Sequence, residues 1–476
     1  QKAKGLTKHA VSNLLANLLP LFVALATIPV YLGYVGDERF GVIAIIMAFL
    51  AYLSFMDIGL GRAVARRIAQ FSEAPEKKRS DILWTSILTS IFLGALAGVI
   101  LYTSGQYLLT AKIAMSDEIR SEALIAVKYM SFALPLLIPV PSMMGALNSR
   151  YFFKQANFVL FSSNILSQVI PLILAANGII DVSVLVLCVL VVKISVSLIL
   201  VKVCQPLIPL SSVPSFNFQE LKQMINYGGW MSVVGFLSPL LTTIDRLFIA
   251  SILGVKSVTY YVIPYDLVTK VMIISGSIST ALFPRLVSAS DQDAVDLSVA
   301  GTRTLMSVMT PVIVVSIILI GPFLELWVGA NLAGKAKHIP EILLLGLWVN
   351  ALVIPTYSRH LARANPRTIV FIFLFQLPVY ATALIFGLKT IGILGVAFAW
   401  TFRVALDTLM ILGLHSMIGV IIYNNALSLM IVCISVAIHF LGFNLFHSLV
   451  LGGVLVFVSI YMDKHVLLGM YRELSN

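Results

Sequence analysis

The sequence predicts an all-α protein that crosses a membrane many times, and three observations carry this prediction. Apolar residues make up 59% of the 476 residues, and charged residues make up only 11%. An ordinary soluble domain has about 25% charged residues. The mean hydropathy is +0.99. A soluble globule of this size has too little interior to hide so much apolar surface, so lipid is the expected solvent.

Fourteen apolar segments are long enough to cross a bilayer as helices, since a crossing helix needs about 20 residues. They lie at 9–35, 40–60, 82–103, 122–148, 157–177, 182–204, 226–250, 258–285, 304–328, 341–362, 369–387, 392–413, 425–443 and 447–462. A shift of 219 residues also places Pro20 on Pro239 and Arg66 on Arg285, which indicates an internal repeat. We therefore expect two pseudo-symmetric six-helix bundles at 1–205 and 206–413, and two additional transmembrane helices with a cytoplasmic tail at 414–476.

The lysines and arginines of the short loops predict the orientation. With the N-terminus inside, the inner loops carry twenty basic residues and the outer loops carry seven. Basic residues are enriched on the cytoplasmic side of membrane proteins. Both termini are therefore expected in the cytoplasm, and Lys335 and Lys337 are expected on the outer side. No loop exceeds roughly twenty residues, so no extramembrane domain is expected.

Other motifs exclude several classes of function. The three cysteines, Cys188, Cys204 and Cys433, are scattered and have neither disulfide nor zinc spacing. The seven histidines show neither an HExxH motif nor clustered ligand spacing, so neither a metal nor a cofactor is predicted. Membrane topology explains the net charge of +11, so no nucleic-acid partner is expected. Gly94 and Gly98 form a GxxxG pattern, which is typical of close helix packing.

Three stretches carry a resemblance to a known family. They are Pro29–Ile68, TTIDRLFIASILGVKSVTYYVIPYDLV at 242–268, and STALFPRLV at 279–287. Together they resemble the Wzx-type O-antigen flippases, which are polysaccharide-biosynthesis transporters of the multidrug/oligosaccharidyl-lipid/polysaccharide exporter superfamily. The resemblance implies two helix bundles around a central cavity that opens alternately to either side of the bacterial inner membrane. It also implies an undecaprenyl-diphosphate-linked glycan as cargo, ion coupling, and other polysaccharide-assembly membrane proteins as partners.

Charged and polar residues inside the predicted spans are the candidate functional residues, because a charge at the bilayer centre costs at least about 2.5–3.5 kcal/mol. Arginine and lysine are the usual donors to phosphate oxygens. Aspartates can serve as proton or sodium sites. The predicted substrate-binding residues are Arg246, Lys270, Arg403, Lys128, Lys193, Asn13 and Asn17. The predicted ion-coupling residues are Asp245, Asp266, Asp407 and Asp57, with H⁺ or Na⁺ as the coupling ion.

Two pairs among these residues have a second interpretation. Asp266 and Lys270 are separated by four positions, as are Arg403 and Asp407, so each pair is expected to share a helix face. Each pair could then neutralise its own burial and hold helices together without contacting cargo.

For the unpaired positions the alternatives also stay open. Lys128 and Lys193 have no acidic residue three or four positions away, and their alternative role is snorkelling. Asp245 and Arg246 point in directions about 100° apart, so one faces a helix seam while the other faces the cavity. Asn13 and Asn17 either line the cavity or join helices by hydrogen bonds.

Three functions compete. The first is a flippase for a lipid-linked oligosaccharide of the O-antigen type, which is not an enzyme and has no catalytic residues. The second is a multidrug exporter of the same superfamily, but an exporter of cations should have a cavity lined with acids. The third is a membrane-embedded glycan polymerase or ligase, for which a long outer loop with catalytic groups is expected. The longest outer loop, at about 104–121, shows no convincing acid–base pair.

Overall fold

The computed structural model describes residues 2–53, 59–71, 76–150, 152–205, 214–363, 366–441 and 445–463. Within these ranges every regular element is a helix. The helices are α1 (Lys2–Leu53), α2 (Leu60–Gln70), α3 (Glu76–Ala111), α4 (Asp117–Leu137), α5 (Val140–Ser149), α6 (Phe153–Ala176), α7 (Val182–Cys204), α8 (Phe218–Leu253), α9 (Val255–Thr269), α10 (Met272–Ser288), α11 (Asp291–Val328), α12 (Ala330–Lys335), α13 (Ile339–Arg363), α14 (Arg367–Ile391), α15 (Ile393–Leu414), α16 (Ile418–Asn424), α17 (Ala426–Phe440) and α18 (Leu445–Met462).

The helices confirm an all-α membrane protein. Nine helical segments in the described ranges are long and apolar enough to cross a membrane, or up to eleven if two bent helix pairs each count as one span. The predicted segment 182–204 coincides with α7. The total of fourteen spans stays a prediction, because that search covers only the described residues.

Two glycines mark equivalent breaks near the starts of the two predicted halves. Gly36 interrupts α1 with φ 75° and ψ 168°, which separates the predicted spans 9–35 and 40–60. Gly254 ends α8 with φ 83° and ψ 164°, 218 positions later. A positive φ is accessible to glycine at little cost. Gly329 has nearly the same backbone conformation, so these angles are not specific to the repeat, which stays a prediction.

Two predicted helices are broken in the structure. The segment 122–148 divides into α4 and α5 around Pro139, since proline removes a backbone donor and disrupts helical packing. The segment 258–285 divides into α9 and α10, which are bent by 40° at Lys270 and Val271. Here the backbone hydrogen bonds span three residues instead of four: Lys270 N donates to Leu267 O, and Val271 N donates to Val268 O. Such 3₁₀-type bonds replace the regular α-helical pattern at the bend. The short helices α12 and α16 were not predicted.

The chain divides into two compact units, Gln1–Thr259 and Tyr260–Asn476. In the first unit α3 packs against α4, and α7 packs against α4 and α6. The GxxxG pattern explains the first contact, because a Cβ atom on Gly98 would stand 2.4 Å from the carbonyl oxygen of Ser131. The prediction of close packing at Gly94 and Gly98 is therefore confirmed.

In the second unit α13 occupies the centre of the packing, with neighbours α10, α11 and α15. Its Trp348 is buried and donates a hydrogen bond from Nε1 to Thr310 Oγ1 of α11, 3.1 Å away. The last helices, α17 and α18, pack against α11, and α17 also reaches α13. This unit also contains α14 and α15, and Arg403 and Asp407 lie on α15.

Candidate functional site

Arg403, on α15, lies in an aromatic enclosure inside the second unit. It is 8% exposed, and its guanidinium carbon lies 5.7 Å from the ring centroid of Tyr380 and 5.9 Å from that of Trp400. Trp400 in turn meets Tyr265 edge to face at 5.8 Å. Stacking on aromatic rings partly offsets the cost of burying a cation.

The guanidinium of Arg403 keeps its donors available. Its Nε is buried and has no hydrogen-bond partner in the described part of the chain. Within those ranges the structure records no salt bridge between Arg403 and Asp407, although the two share a helix with the predicted spacing. A buried charged donor without an acceptor is costly, so the arrangement suits an anion that arrives from elsewhere.

Asp407 is instead bound by an amide. Gln376 Nε2, on α14, donates a 2.7 Å hydrogen bond to Asp407 Oδ1. Gln376 is fully buried, and its Oε1 has no hydrogen-bond partner among the described residues. The Asp407 carboxylate and the amide oxygen of Gln376 are both oxygen ligands of the kind that hard cations prefer. The carboxylate can also bind a proton. Arg403 and Asp407 therefore form no direct salt bridge in the described ranges, and mutual neutralisation of their charges stays a prediction.

Asp266 and Lys270 do not share one continuous helix face. Asp266 lies in α9, which ends at Thr269, whereas Lys270 stands exposed in the turn before α10. The prediction of one uninterrupted helix is wrong here because the backbone bends between α9 and α10. Lys270 is thereby placed, exposed, at the bend.

In the first unit, the neighbouring residues Asp245 and Arg246 of α8 differ in their burial and in their hydrogen bonds. Asp245 is fully buried, and its Oδ1 accepts a 2.8 Å hydrogen bond from the backbone N–H of Arg246. Arg246 Nη1 donates to the carbonyl oxygen of Ala44 at 3.3 Å. Arg246 also borders a small cavity with Phe49 and Thr243 among its walls. The aspartate is therefore enclosed within the protein, whereas the arginine borders this small cavity; which of them faces the cargo stays a prediction.

The remaining predicted residues divide into two groups. Lys128 is exposed on the same face of α4 as Ile125 and Phe132, and Lys193 is half-buried on α7. Neither lysine has a hydrogen-bond or ion-pair partner in the part of the chain that the structure describes. Asp57 and the side chains of Asn13 and Asn17 lie outside the described residues.

A charged cluster at the start of α8 was not predicted from sequence. Glu220 is 2% exposed and accepts hydrogen bonds from Arg67 Nη2 at 2.6 Å and from Lys78 Nζ. Burial pushes the pKa of Glu220 upward, but the hydrogen bonds from Lys78 and Arg67 outweigh burial and hold this pKa below its usual value. The cluster joins α2 and α3 to α8, so part of the basic segment Arg62–Arg79 has a structural role.

Sequence reasoning also missed the partners of Arg403 and Asp407. Gln376 and Tyr380 are separated by four positions and so share one face of α14, and Trp400 precedes Arg403 by three positions. The spacing within each helix was visible, and the short connection at Gly392 makes α14 and α15 neighbours, but the sequence does not show which of their side chains face one another. The resulting site combines an unpaired guanidinium with a carboxylate and an amide oxygen, without a nucleophile–base arrangement.

Comparisons with known proteins agree with this fold. A family described as polysaccharide biosynthesis protein matches residues 6–290. A protein of Shigella flexneri, named as a candidate O-antigen transporter, is 27% identical over 433 residues, which cover 87% of this chain and 98% of that protein.

Two solved structures share the fold. One is the lipid II flippase MurJ in an inward closed conformation, with a TM-score of 0.72 and 15% identity over 96% of this chain and 99% of that chain. The other is an inward-facing multidrug resistance transporter of the MATE family and MOP superfamily, with a TM-score of 0.67 and 12% identity over 84% of this chain and 95% of that chain.

Proposed function

Because the chain belongs to the polysaccharide biosynthesis protein family, we propose that it is a flippase for an undecaprenyl-diphosphate-linked oligosaccharide. In this proposal the cargo is an O-antigen-type repeat unit, which moves from the cytoplasmic to the periplasmic leaflet of the bacterial inner membrane by alternating access. The name of the Shigella flexneri relative supports a glycan cargo. The protein breaks no covalent bond and needs no catalytic residue.

The observation that carries this proposal is the environment of Arg403. Its buried guanidinium has an unused donor, and Asp407 binds Gln376 rather than Arg403. A diphosphate presents several anionic oxygens, which match the geometry of a guanidinium. We propose that Arg403 and Lys270 of the second unit bind the diphosphate, and that Arg246, Lys128, Lys193, Asn13 and Asn17 of the first unit are further substrate-binding residues.

Ion coupling is the second part of the proposal. The Asp407 carboxylate and the unused Gln376 oxygen provide a site for H⁺ or Na⁺ within the second unit. Because Arg403 lies one turn away on the same helix, a cation at Asp407 and an anion at Arg403 influence one another electrostatically. Asp245, Asp266 and Asp57 are the other proposed coupling residues. The proposed orientation places both termini in the cytoplasm.

The alternative function is multidrug export, because the fold is shared with a MATE-family transporter. An exporter of organic cations needs an accessible acid that is not already neutralised. Where α14 meets α15, the charged group without a hydrogen-bond partner among the described residues is the Nε of Arg403, whereas Asp407 already accepts a hydrogen bond. This difference favours an anionic cargo.

The two functions are separated by transport in proteoliposomes that contain the purified protein. We expect a fluorescent undecaprenyl-diphosphate oligosaccharide to become accessible to an impermeant quencher faster than in protein-free vesicles. We expect no accumulation of a cationic dye in the same vesicles under an imposed proton or sodium gradient. Dye accumulation without movement of the glycan lipid would establish the exporter and overturn the flippase.

A further inference from the structure

A cluster of two histidines and one glutamate lies in the second unit, apart from the residues proposed for transport. His338 precedes α13, Glu341 lies in the first turn of α13, and His439 lies in the last turn of α17. One ligand atom from each residue can be chosen such that all three atoms lie within 4.8 Å of one another. The two imidazole rings meet edge to face, with centroids 5.6 Å apart.

Glu341 provides an independent indication that this cluster receives a ligand. Its side chain is only 3% exposed, and its Oε1 lies 2.8 Å from His439 Nε2. Its second oxygen, Oε2, is buried and has no hydrogen-bond partner in the described part of the chain. A buried charged oxygen without a partner is costly to the fold. A positively charged ligand beside Oε2 would remove that cost.

We propose that His338, Glu341 and His439 bind one divalent transition-metal ion, with Zn²⁺ as the best match. Two imidazoles and one carboxylate form a ligand set that zinc and its neighbours prefer, and water can complete a tetrahedron. Bonds of about 2.0–2.2 Å place tetrahedral ligand atoms about 3.4 Å apart. The atoms here span 2.8–4.8 Å, so small side-chain rotations bring them to that spacing.

A second histidine pair in the same unit is less suited to a cation. His360 Nδ1 and His415 Nε2 are 3.1 Å apart, but the positive charge of Arg359 acts on His415. In the described ranges no carboxylate joins these two histidines into a three-ligand group. The combination of two imidazoles with a buried acid is therefore particular to the cluster around Glu341.

The proposed ion has a structural consequence. His338 and Glu341 belong to the start of α13, and His439 belongs to α17, about one hundred positions further along the chain. A bound metal would join these two helix ends directly. Binding to the folded state alone stabilises that state by mass action, so the metal would hold the additional C-terminal helix α17 against α13.

The test titrates ZnCl₂ into the purified full-length protein in detergent, after treatment with a chelator. We expect one Zn²⁺ per chain by elemental analysis, micromolar or tighter affinity, and a rise in the melting temperature on binding. His439→Gln and Glu341→Gln should each weaken binding by at least about 100-fold, because loss of a ligand exceeds the loss of an outer-shell partner. His447→Gln is the matched control, since His447 is exposed on neighbouring α18 and should leave binding unchanged.

Cobalt provides a readout that does not depend on the variants folding. Co²⁺ added to the wild-type protein should give the strong visible absorption bands of a tetrahedrally coordinated ion, and Zn²⁺ should displace the Co²⁺ and abolish these bands. Absence of both Zn²⁺ binding and cobalt bands in the wild-type protein would show that the cluster is only a hydrogen-bonded group. Unchanged zinc affinity in folded His439→Gln and Glu341→Gln variants would place the ion elsewhere. Either result overturns the proposal without affecting the proposed transport function.

Discussion

Replacing Glu220 by glutamine should destabilise the first unit strongly. The buried carboxylate of Glu220 holds Arg67 and Lys78, and an amide would leave both cations without a counter-charge. Breaking a buried ion pair costs about 3–5 kcal/mol. The side chain of Arg67 is 16% exposed and that of Lys78 is 38% exposed, so water recovers part of the loss. We expect a cost near the lower limit, about 3 kcal/mol.

The thermal stability of the purified protein measures this effect. For a unit of this size, about 3 kcal/mol corresponds to a fall in melting temperature of roughly 6–12 °C. Glu118→Gln is the matched control, because its carboxylate is 75% exposed while it binds Arg39. An exposed ion pair contributes at most about 1 kcal/mol, so this variant should change the melting temperature little.

The pH dependence gives a second, independent check on Glu220. Hydrogen bonds hold its folded-state pKa below the unfolded value of about 4.3, so ionised Glu220 stabilises the protein above that pH. The contribution is lost as the pH falls through the lower, folded-state pKa. The melting temperatures of wild type and Glu220→Gln should therefore converge below about pH 4. Equal melting temperatures at pH 7, or a gap that persists in acid, would refute the ion-pair explanation.

Three further predictions concern packing, coupling and topology. Gly98→Ala should destabilise the protein by about 1–3 kcal/mol, because the added Cβ would lie 2.4 Å from Ser131 O. Gly235→Ala is the control and should not destabilise it, since a Cβ there would have no neighbour within 4 Å. The melting temperatures of the two variants are compared with that of the wild type. Asp407→Asn should abolish the dependence of transport on the proton or sodium gradient, and unchanged dependence would move coupling elsewhere. A cysteine at Lys337 should react with an impermeant thiol reagent in intact cells, and a cysteine at Lys77 should not; the opposite pattern would reverse the orientation.

The sequence predicted the helices better than their interruptions. Runs such as Val182–Cys204 are continuous and apolar, so hydropathy alone locates their ends. The bend between α9 and α10 lies at Lys270 and Val271, where no proline or glycine marks it. Backbone hydrogen bonds of the 3₁₀ type produce the bend, and tertiary packing rather than local propensity decides where they form.

The sequence identified individual residues of the candidate site, but it did not predict which of them contact one another. The cost of intramembrane charge identified Arg403 and Asp407, and their spacing suggested an ion pair. In the structure Asp407 instead accepts a hydrogen bond from Gln376, which lies on another helix. Similarly, Glu220 is separated from Arg67 by 153 positions and from Lys78 by 142 positions. Contacts of such sequence separation leave no periodic signal in a single sequence.

The central claim is that the guanidinium of Arg403 receives the diphosphate of the cargo, and one set of variants tests it. Arg403→Ala, Asp407→Asn and the double variant are compared for translocation of the fluorescent glycan lipid in proteoliposomes. Loss of one charge-assisted hydrogen bond, about 1.5–3 kcal/mol, should reduce substrate affinity roughly ten- to a hundredfold in Arg403→Ala. The variant loses the stacking on Tyr380 and Trp400 and the positive charge one turn from Asp407, so its melting temperature is compared with that of the wild type to show that it folds.

Because Arg403 and Asp407 form no ion pair in this structure, adding Asp407→Asn should not restore affinity to Arg403→Ala. We predict a folded double variant that binds and moves the glycan lipid as poorly as Arg403→Ala. Recovery of wild-type affinity and transport in the double variant would show that Arg403 only neutralises Asp407, and it would contradict the proposed diphosphate site.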